Sequence, residues 1–282
     1  MKNYETDQNK NRNNIPLPDE VTSVSSRSWQ MLSKVPEVTI FFWIIKIMAT
    51  TVGETGADFL NTNLNFGLTK TTFVMSALLL ITLFFQFRLK KYVPSVYWLT
   101  VLLISVVGTL VTDNLTDNFG VALETTTIVF TLLLLATFAA WYVSEKTLSI
   151  HSIYTTKREV FYWLAILFTF ALGTAAGDLV AESLNLGYLI SALIFAALIG
   201  AVSIAYYRFK LNTVLAFWIA YILTRPFGAS FGDYLSQPHD SGGLGLGLGL
   251  GTVGTSVIFL AIILSLVIYL TKTKKDVNPS VH

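Results

Sequence analysis

Acidic side chains recur in this sequence at a fixed distance from tryptophans. An aspartate follows each of four tryptophans by fifteen residues, which gives the pairs Trp43 and Asp58, Trp98 and Asp113, Trp163 and Asp178, and Trp218 and Asp233. These aspartates end long apolar segments, where a charged side chain is costly and commonly marks an ion or proton pathway. With Glu54 in the first segment, they predict a site for a cation.

The rest of the candidate site follows from helical spacing, because residues four apart share one face of a helix. The residues expected to bind substrate or ion, or to carry protons, are Glu54, Asp58, Asp113, Asp178, Asp233, Thr50, Thr109 and Thr174. Two basic residues would tune their charge. Lys46 lies two turns before Glu54 and Arg225 lies two turns before Asp233, so each is expected to pair within its own helix.

Oxygen ligands of this kind suit hard divalent ions such as magnesium, calcium or manganese. The five acidic residues are therefore the candidate metal ligands, with the metal as cargo and no cofactor expected. Pro226 lacks a backbone N–H and predicts a kink beside Arg225. The aspartates also have a structural interpretation, in which the helix breaks at its glycines and the carboxylate caps the next segment.

The elements that position these residues are apolar segments. The 282 residues are 53% hydrophobic and 13% charged, about half the usual charged fraction of about 25%, so the composition predicts an integral membrane protein. The net charge of +2 excludes a nucleic-acid partner, and the absence of cysteine excludes disulfides and thiolate chemistry. No nucleophile and base stand together, so no enzyme is expected.

Eight apolar segments follow a polar N-terminal stretch. The odd ones are roughly 38–60, 93–112, 160–179 and 215–234, and the even ones are roughly 72–87, 126–143, 188–207 and 253–270. Because the polar residues spaced four apart lie on the odd segments, we expect the odd helices to lie inside the bundle and the even helices to lie outside it. The tryptophans are expected to anchor the odd helices at the membrane interface.

The odd segments also repeat small residues, which let membrane helices approach closely. Glycine lies ten residues after each tryptophan (Gly53, Gly108, Gly173, Gly228), and a small or short residue lies fourteen after it (Ala57, Thr112, Gly177, Gly232). Asn-Phe-Gly or Asn-Leu-Gly recurs after three of the motifs. The sequence thus predicts an all-α membrane protein of eight transmembrane helices, built from four tandem two-helix repeats.

The repeats and tails are assigned to ranges of the chain. Residues 1–34 form a disordered tail, 35–91, 92–150, 151–210 and 211–272 are the four repeats, and 273–282 form a C-terminal tail. Residues 242–251 are glycine- and leucine-rich, and both a loop and the start of the last helix fit them. Sixteen of the nineteen Lys and Arg residues fall on one side of the bundle. The positive-inside rule then places both termini in the cytoplasm.

The repeat resembles a known family. Four units, each with two spans and one tryptophan, and the stretch from Lys46 to Asp58 (KIMATTVGETGAD) are similar to a bacterial membrane-protein family known as a repeat of unknown function, whose members are labelled uncharacterised membrane-anchored proteins. The resemblance implies this architecture and a multi-pass location in the cell membrane. It implies no activity.

Two functions fit these observations. The first is a secondary transporter that moves a cation, such as manganese, in exchange for protons through a centre lined by the acids of the odd helices. The alternative is a non-transporting membrane scaffold or regulatory membrane-anchored protein, in which the acids serve packing and the centre is dry. The lipid bilayer is the expected partner in both cases, and both are compatible with a homo-oligomer.

Overall fold

A computed structural model describes residues 33–63, 67–245 and 252–277. This part of the chain contains eight long helices and no strand: α1 (Ile40–Asp58), α2 (Leu68–Arg88), α3 (Pro94–Asp113), α4 (Leu123–Glu145), α5 (Thr156–Asp178), α6 (Gly187–Phe209), α7 (Thr213–Ser236) and α8 (Thr252–Thr273). All eight are long and apolar enough to cross a membrane. The predicted all-α fold of eight transmembrane helices is confirmed.

Polar side chains and glycines mark where helices begin. Thr39 and Thr155 accept hydrogen bonds from the first turns of α1 and α5, and Pro94 starts α3, where its missing N–H costs nothing. The recurrent Asn-x-Gly has a backbone reason. Gly67 before α2 and Gly187 at the start of α6 have φ of 74° and 77°, a left-handed conformation that glycine adopts without strain.

The odd helices form the interior of the bundle. In their most apolar windows 56–67% of residues are buried, against 17–28% in the even helices. The expected division into inner odd and outer even helices is confirmed. We call the end of the bundle where the odd helices begin the basic end, and the end where they reach the four motif aspartates the acidic end.

Repeated glycines close the odd helices into a ring. A Cβ placed on any one of them would collide with the next odd helix, in the pairs Gly53 on Ser105, Gly108 on Phe170, Gly173 on Arg225 and Gly228 on Thr50. Every contacted residue lies seven positions after its tryptophan. Because the last pair returns from α7 to α1, the four repeats form a closed ring with one packing rule throughout.

Each even helix packs against an odd helix of the next repeat. The strongest contacts join α2 to α3, α4 to α5 and α6 to α7, and α8 returns to α1. The repeats are thus interlocked, since every repeat lends its outer helix to its neighbour.

An aromatic layer crosses the ring near the basic end. Each tryptophan contacts the aromatic residue that precedes the tryptophan of the neighbouring repeat, with ring centroids 5.6 Å apart for Phe42 and Trp98, 5.5 Å for Tyr97 and Trp163, 6.3 Å for Tyr162 and Trp218, and 5.8 Å for Phe217 and Trp43. Trp98, Trp163 and Trp218 are buried. The expectation that they anchor the helices at the membrane interface is wrong, because their rings pack on one another inside the bundle.

Three further features concern the N-terminal tail, the proline of α7 and the glycine-rich tract. Lys34, placed at the end of a disordered tail, is instead buried and donates to Glu159 at 2.6 Å. Pro226 lies inside the continuous helix α7. Of the glycine-rich tract, 242–245 is not helical and 246–251 lies outside the described residues, as do 1–32 of the N-terminal tail.

The packing rule predicts a contrast between two glycines. Gly108→Ala puts a methyl group 2.8 Å from the Phe170 Cβ and 3.1 Å from the Ala171 nitrogen, so we expect it to lower the free energy of unfolding by about 1–3 kcal/mol through overpacking. Gly200→Ala on α6 meets nothing within 4 Å and should be neutral or stabilise by about 0.5–1 kcal/mol. Denaturant unfolding in detergent measures both, and equal effects would contradict the ring contact.

The distribution of basic residues predicts that the basic end of the bundle faces the cytoplasm and the acidic end faces the outside. The chain has no cysteine, so single cysteines can be introduced at exposed Lys90, at the basic end, and exposed Asp240, at the acidic end. A membrane-impermeant maleimide added to intact cells should label Asp240→Cys and should label Lys90→Cys only after permeabilisation. The reverse pattern would invert the topology.

Candidate functional site

An ion pair lies at the centre of the odd-helix ring. A terminal guanidinium nitrogen of Arg225 on α7 is 2.8 Å from a carboxylate oxygen of Glu54 on α1, and their side chains are 0% and 7% exposed. The other terminal nitrogen donates to the Thr50 carbonyl oxygen at 3.2 Å. The pair therefore joins the last repeat to the first.

Two threonines from the remaining odd helices complete this centre. Thr109 of α3 donates to Glu54 at 3.1 Å, and its hydroxyl lies 3.4 Å from that of Thr174 on α5. Arg225 donates to Thr174 at 2.7 Å and also to Thr109. All four odd helices thus contribute to a single hydrogen-bonded cluster of Glu54, Thr109, Thr174 and Arg225, which we call the central cluster.

Thr50 and Lys46 occupy different places from those expected. The Thr50 hydroxyl bonds to carbonyls of its own helix, so this residue offers its backbone oxygen to Arg225. Lys46 donates to the Tyr221 carbonyl at 2.7 Å and to the Thr224 hydroxyl. The within-helix pairing expected for the two basic residues is wrong: Glu54 is paired with Arg225 across the ring, and Lys46 is held by α7.

One aromatic ring outside the expected site, that of Phe170, lies close to both buried cations. The Lys46 nitrogen is 5.5 Å from the Phe170 ring centroid and the Arg225 guanidinium is 5.4 Å from it, both within cation–π range. Lys46 also lies 4.3 Å from the Tyr221 ring. The repeat pattern could have indicated this residue, because Phe170 occupies the position of Arg225, seven residues after the tryptophan.

The four motif aspartates lie above this cluster at the acidic end. Asp58, Asp113 and Asp178 are half-buried, and Asp233 is buried. The charge of Glu54 acts on all four, and the charge of Asp58 acts on the other three. Asp113 and Asp178 do not act as the caps that the structural interpretation expects, since both are the last α-helical residues and neither side chain caps the turn that follows.

A π-helical turn follows the aspartate in three repeats, over Phe59–Asn63, Asn114–Asn118 and Leu179–Ser183. π-Helical turns are rare in proteins overall, and those that occur are often found at functional sites. They carry Asp117 and Glu182 to the same end of the ring, where both act electrostatically on the motif aspartates. The acidic end is therefore a ring of carboxylates around the axis.

These carboxylates do not form a preorganised metal site. Within the described residues, no group of three or more His, Cys, Asp or Glu side chains is placed to hold a metal ion. Polar atoms do remain for a guest or for water: Arg225 Nε, Ser105 Oγ and the Tyr221 hydroxyl are buried with no hydrogen-bond partner in the described part of the chain. Such atoms normally indicate a functional role or internal water.

Four stretches of the chain match one protein family. Residues 41–92, 96–147, 161–212 and 216–276 each match the family described as Repeat of Unknown Function (DUF347). The chain belongs to this family. Each stretch covers one odd helix and the even helix after it, which confirms the predicted four-repeat family. No curated protein and no solved structure gives a significant match.

In this DUF347 chain the repeats share their packing residues and differ at the centre. All four keep the tryptophan, the glycine and the aspartate. Eleven residues after the tryptophan, however, stand Glu54, Thr109, Thr174 and Ala229, and only the fourth repeat has a base seven residues after it. A nearly symmetric ring thus surrounds an asymmetric charge cluster.

The ion pair predicts a double-mutant cycle. Glu54→Gln leaves Arg225 buried without a counter-charge, and we expect it to lower the free energy of unfolding by about 3 kcal/mol. Adding Arg225→Gln should recover most of this loss, because two neutral polar groups then face each other. Denaturant unfolding of the four variants in detergent measures the coupling.

The matched control for this cycle is Glu124→Gln, an exposed acid at the start of α4, whose effect should stay within about 0.5 kcal/mol. Strictly additive losses for the two central substitutions would show that the residues do not interact.

Proposed function

We propose that this multi-pass membrane protein is a secondary transporter that moves a cation along the axis of the odd-helix ring in exchange for protons. The observation that carries the proposal is the central cluster. In it, a buried ion pair of Glu54 and Arg225 lies with two threonine hydroxyls at the point where all four inner helices meet. Ionisable groups in membrane spans usually serve transport, because packing alone is achieved without the cost of burying charge.

The balance of charge favours a cation. Five carboxylates, those of Glu54 and the motif aspartates, stand against the two bases Lys46 and Arg225. Converging charges of one sign in a low-dielectric funnel concentrate ions of the opposite sign. The acidic end therefore serves as the entrance, and its carboxylate oxygens suit a hard divalent ion such as manganese.

The central cluster supplies the coupling. Arg225 occupies the Glu54 carboxylate that a cation would bind, so cation and guanidinium compete for one partner. A proton on Glu54 or on a motif aspartate would also weaken cation binding, since a protonated carboxyl loses its charge. Competition for the same oxygens is the simplest basis for exchanging a cation against protons.

The aromatic layer supplies a barrier on the other side. Rings from all four repeats pack across the axis between the central cluster and the basic end. A transporter requires a site that is reached from one side at a time, and repeats that move against each other around a fixed site provide this. We assign the aromatic layer to the barrier and place the protein in the cell membrane.

One observation favours the scaffold alternative. Glu54, Thr109, Thr174 and Arg225 hydrogen-bond to one another, so the cluster neutralises its charges without a ligand. A scaffold would keep a dry centre and would tolerate neutral replacements of both charged residues.

Transport is tested in proteoliposomes that contain an ion-sensitive dye, with Mn²⁺, Mg²⁺ and Ca²⁺ offered separately under an imposed pH gradient. We expect proton-dependent uptake of at least one ion by the wild type. The double variant Glu54→Gln/Arg225→Gln should lower its rate at least about tenfold, the factor that ~1.4 kcal/mol of lost binding produces, although it folds. Asp113→Asn should also impair uptake.

The control is Glu124→Gln, which removes an exposed acid outside the axis and should transport normally. Cellular content of these elements with and without the protein gives the direction of transport. Normal uptake by the folded double variant, or no uptake of any of the three ions by the wild type, would contradict the proposal and support the scaffold.

A further inference from the structure

A cleft separate from the ring axis lies near the basic end. It is a cavity of about 440 Å³ bounded by α1, α6 and α7, within the range of about 300–1,000 Å³ that small-molecule sites occupy. Its lining includes none of the four residues of the central cluster. Transport through the axis does not require this cleft.

The length of the cleft matches one leaflet of a bilayer. Its lining extends from Thr213 to Thr224 on α7, and from Val38, just before α1, to Ile47 of α1. The eleven residues along α7 rise about 17 Å, close to half of a hydrocarbon core about 30 Å thick. A chain that fills the cleft would therefore cross the hydrocarbon of one leaflet.

The walls are apolar and the entrance is polar. Ile199 and Val202 of α6 face Trp43 and Phe217. The entrance carries Glu37 and His151. A carboxylate oxygen of Glu37 lies 3.7 Å from the imidazole Nδ1 of His151, and the two side chains are 35% and 47% exposed. The occupant that this pattern fits is an amphiphile with an apolar chain and a polar headgroup.

The charges at the entrance select the headgroup. Among the described residues, the lining contains a carboxylate and a histidine but neither lysine nor arginine, so a headgroup of net negative charge finds no permanent countercharge there. A primary ammonium can pair with Glu37. Tyr206 and Tyr207, also in the lining, are amphipathic rings of the kind that sit at headgroup level.

We propose that this cleft binds phosphatidylethanolamine from the leaflet at the basic end, with one acyl chain inside and the ammonium group on Glu37. The deep end of the cleft is Thr224, whose hydroxyl holds Lys46 beside the ring axis. The bound chain thus rests against a residue that positions one of the two buried bases.

Binding is tested on the purified full chain by native mass spectrometry with phosphatidylethanolamine and phosphatidylglycerol of identical acyl chains. Ala220→Leu fills the cleft from α7 and should weaken phosphatidylethanolamine binding about tenfold. Its matched control is Ala201→Leu, on an exposed position of α6 outside the lining, which should bind normally. Glu37→Gln should abolish the preference for ethanolamine, whereas Glu124→Gln at the opposite end should keep it.

A second measurement places the chain. Phosphatidylethanolamine brominated on its acyl chains should quench the fluorescence of Trp43, seen as the difference between wild type and Trp43→Phe, and Ala220→Leu should remove this quenching. Equal binding of both lipids by the wild type, or unchanged binding and quenching in a folded Ala220→Leu variant, would overturn the proposal. Neither readout depends on transport, so a failure here is distinct from a failure of the proposed function.

Discussion

A charge buried in a membrane must be neutralised or hydrated, and this requirement governs the structure. Glu54 and Arg225 satisfy it with each other, although they belong to the first and last repeats. Neither is paired with the oppositely charged residue of its own helix, so this pair forms only where α1 and α7 meet. The ion pair is therefore a product of the closed ring.

Close packing makes that meeting possible. The motif glycines bring each odd helix against the next, and interlocked even helices shield the ring from lipid. At the basic end the same repeat produces an aromatic layer, and at the acidic end it produces carboxylates. One sequence motif thus builds a barrier, a packed middle and an acidic mouth at successive levels, while substitutions in single repeats supply the charge cluster between them.

Much of this architecture could be predicted from the sequence. The spacing of tryptophan, glycine and aspartate gives the repeats, the inner and outer helices and the level of the acids, because these depend on periodicity along one helix. The partners of Arg225 and Lys46 could not be found in this way, since periodicity relates only residues of one helix, whereas these contacts join different helices. The burial of Trp98, Trp163 and Trp218 was missed for the same reason: their partners belong to neighbouring repeats. Nothing in the sequence pattern indicated the π-helical turns.

The central claim is that the ring axis is a polar path that reaches the central cluster from the acidic end and stops at the aromatic layer. Single cysteines along α3, in a chain that has none of its own, test it through reaction with a small hydrophilic thiol reagent applied from that end. Asp113→Cys and Thr109→Cys should react. Val101→Cys, eight residues before Thr109 on the same face of α3, should not react, and neither should Leu110→Cys, which is buried in an apolar cluster at the height of Thr109. Thr109→Cys that reacts no faster than Leu110→Cys would show a dry centre and contradict the account.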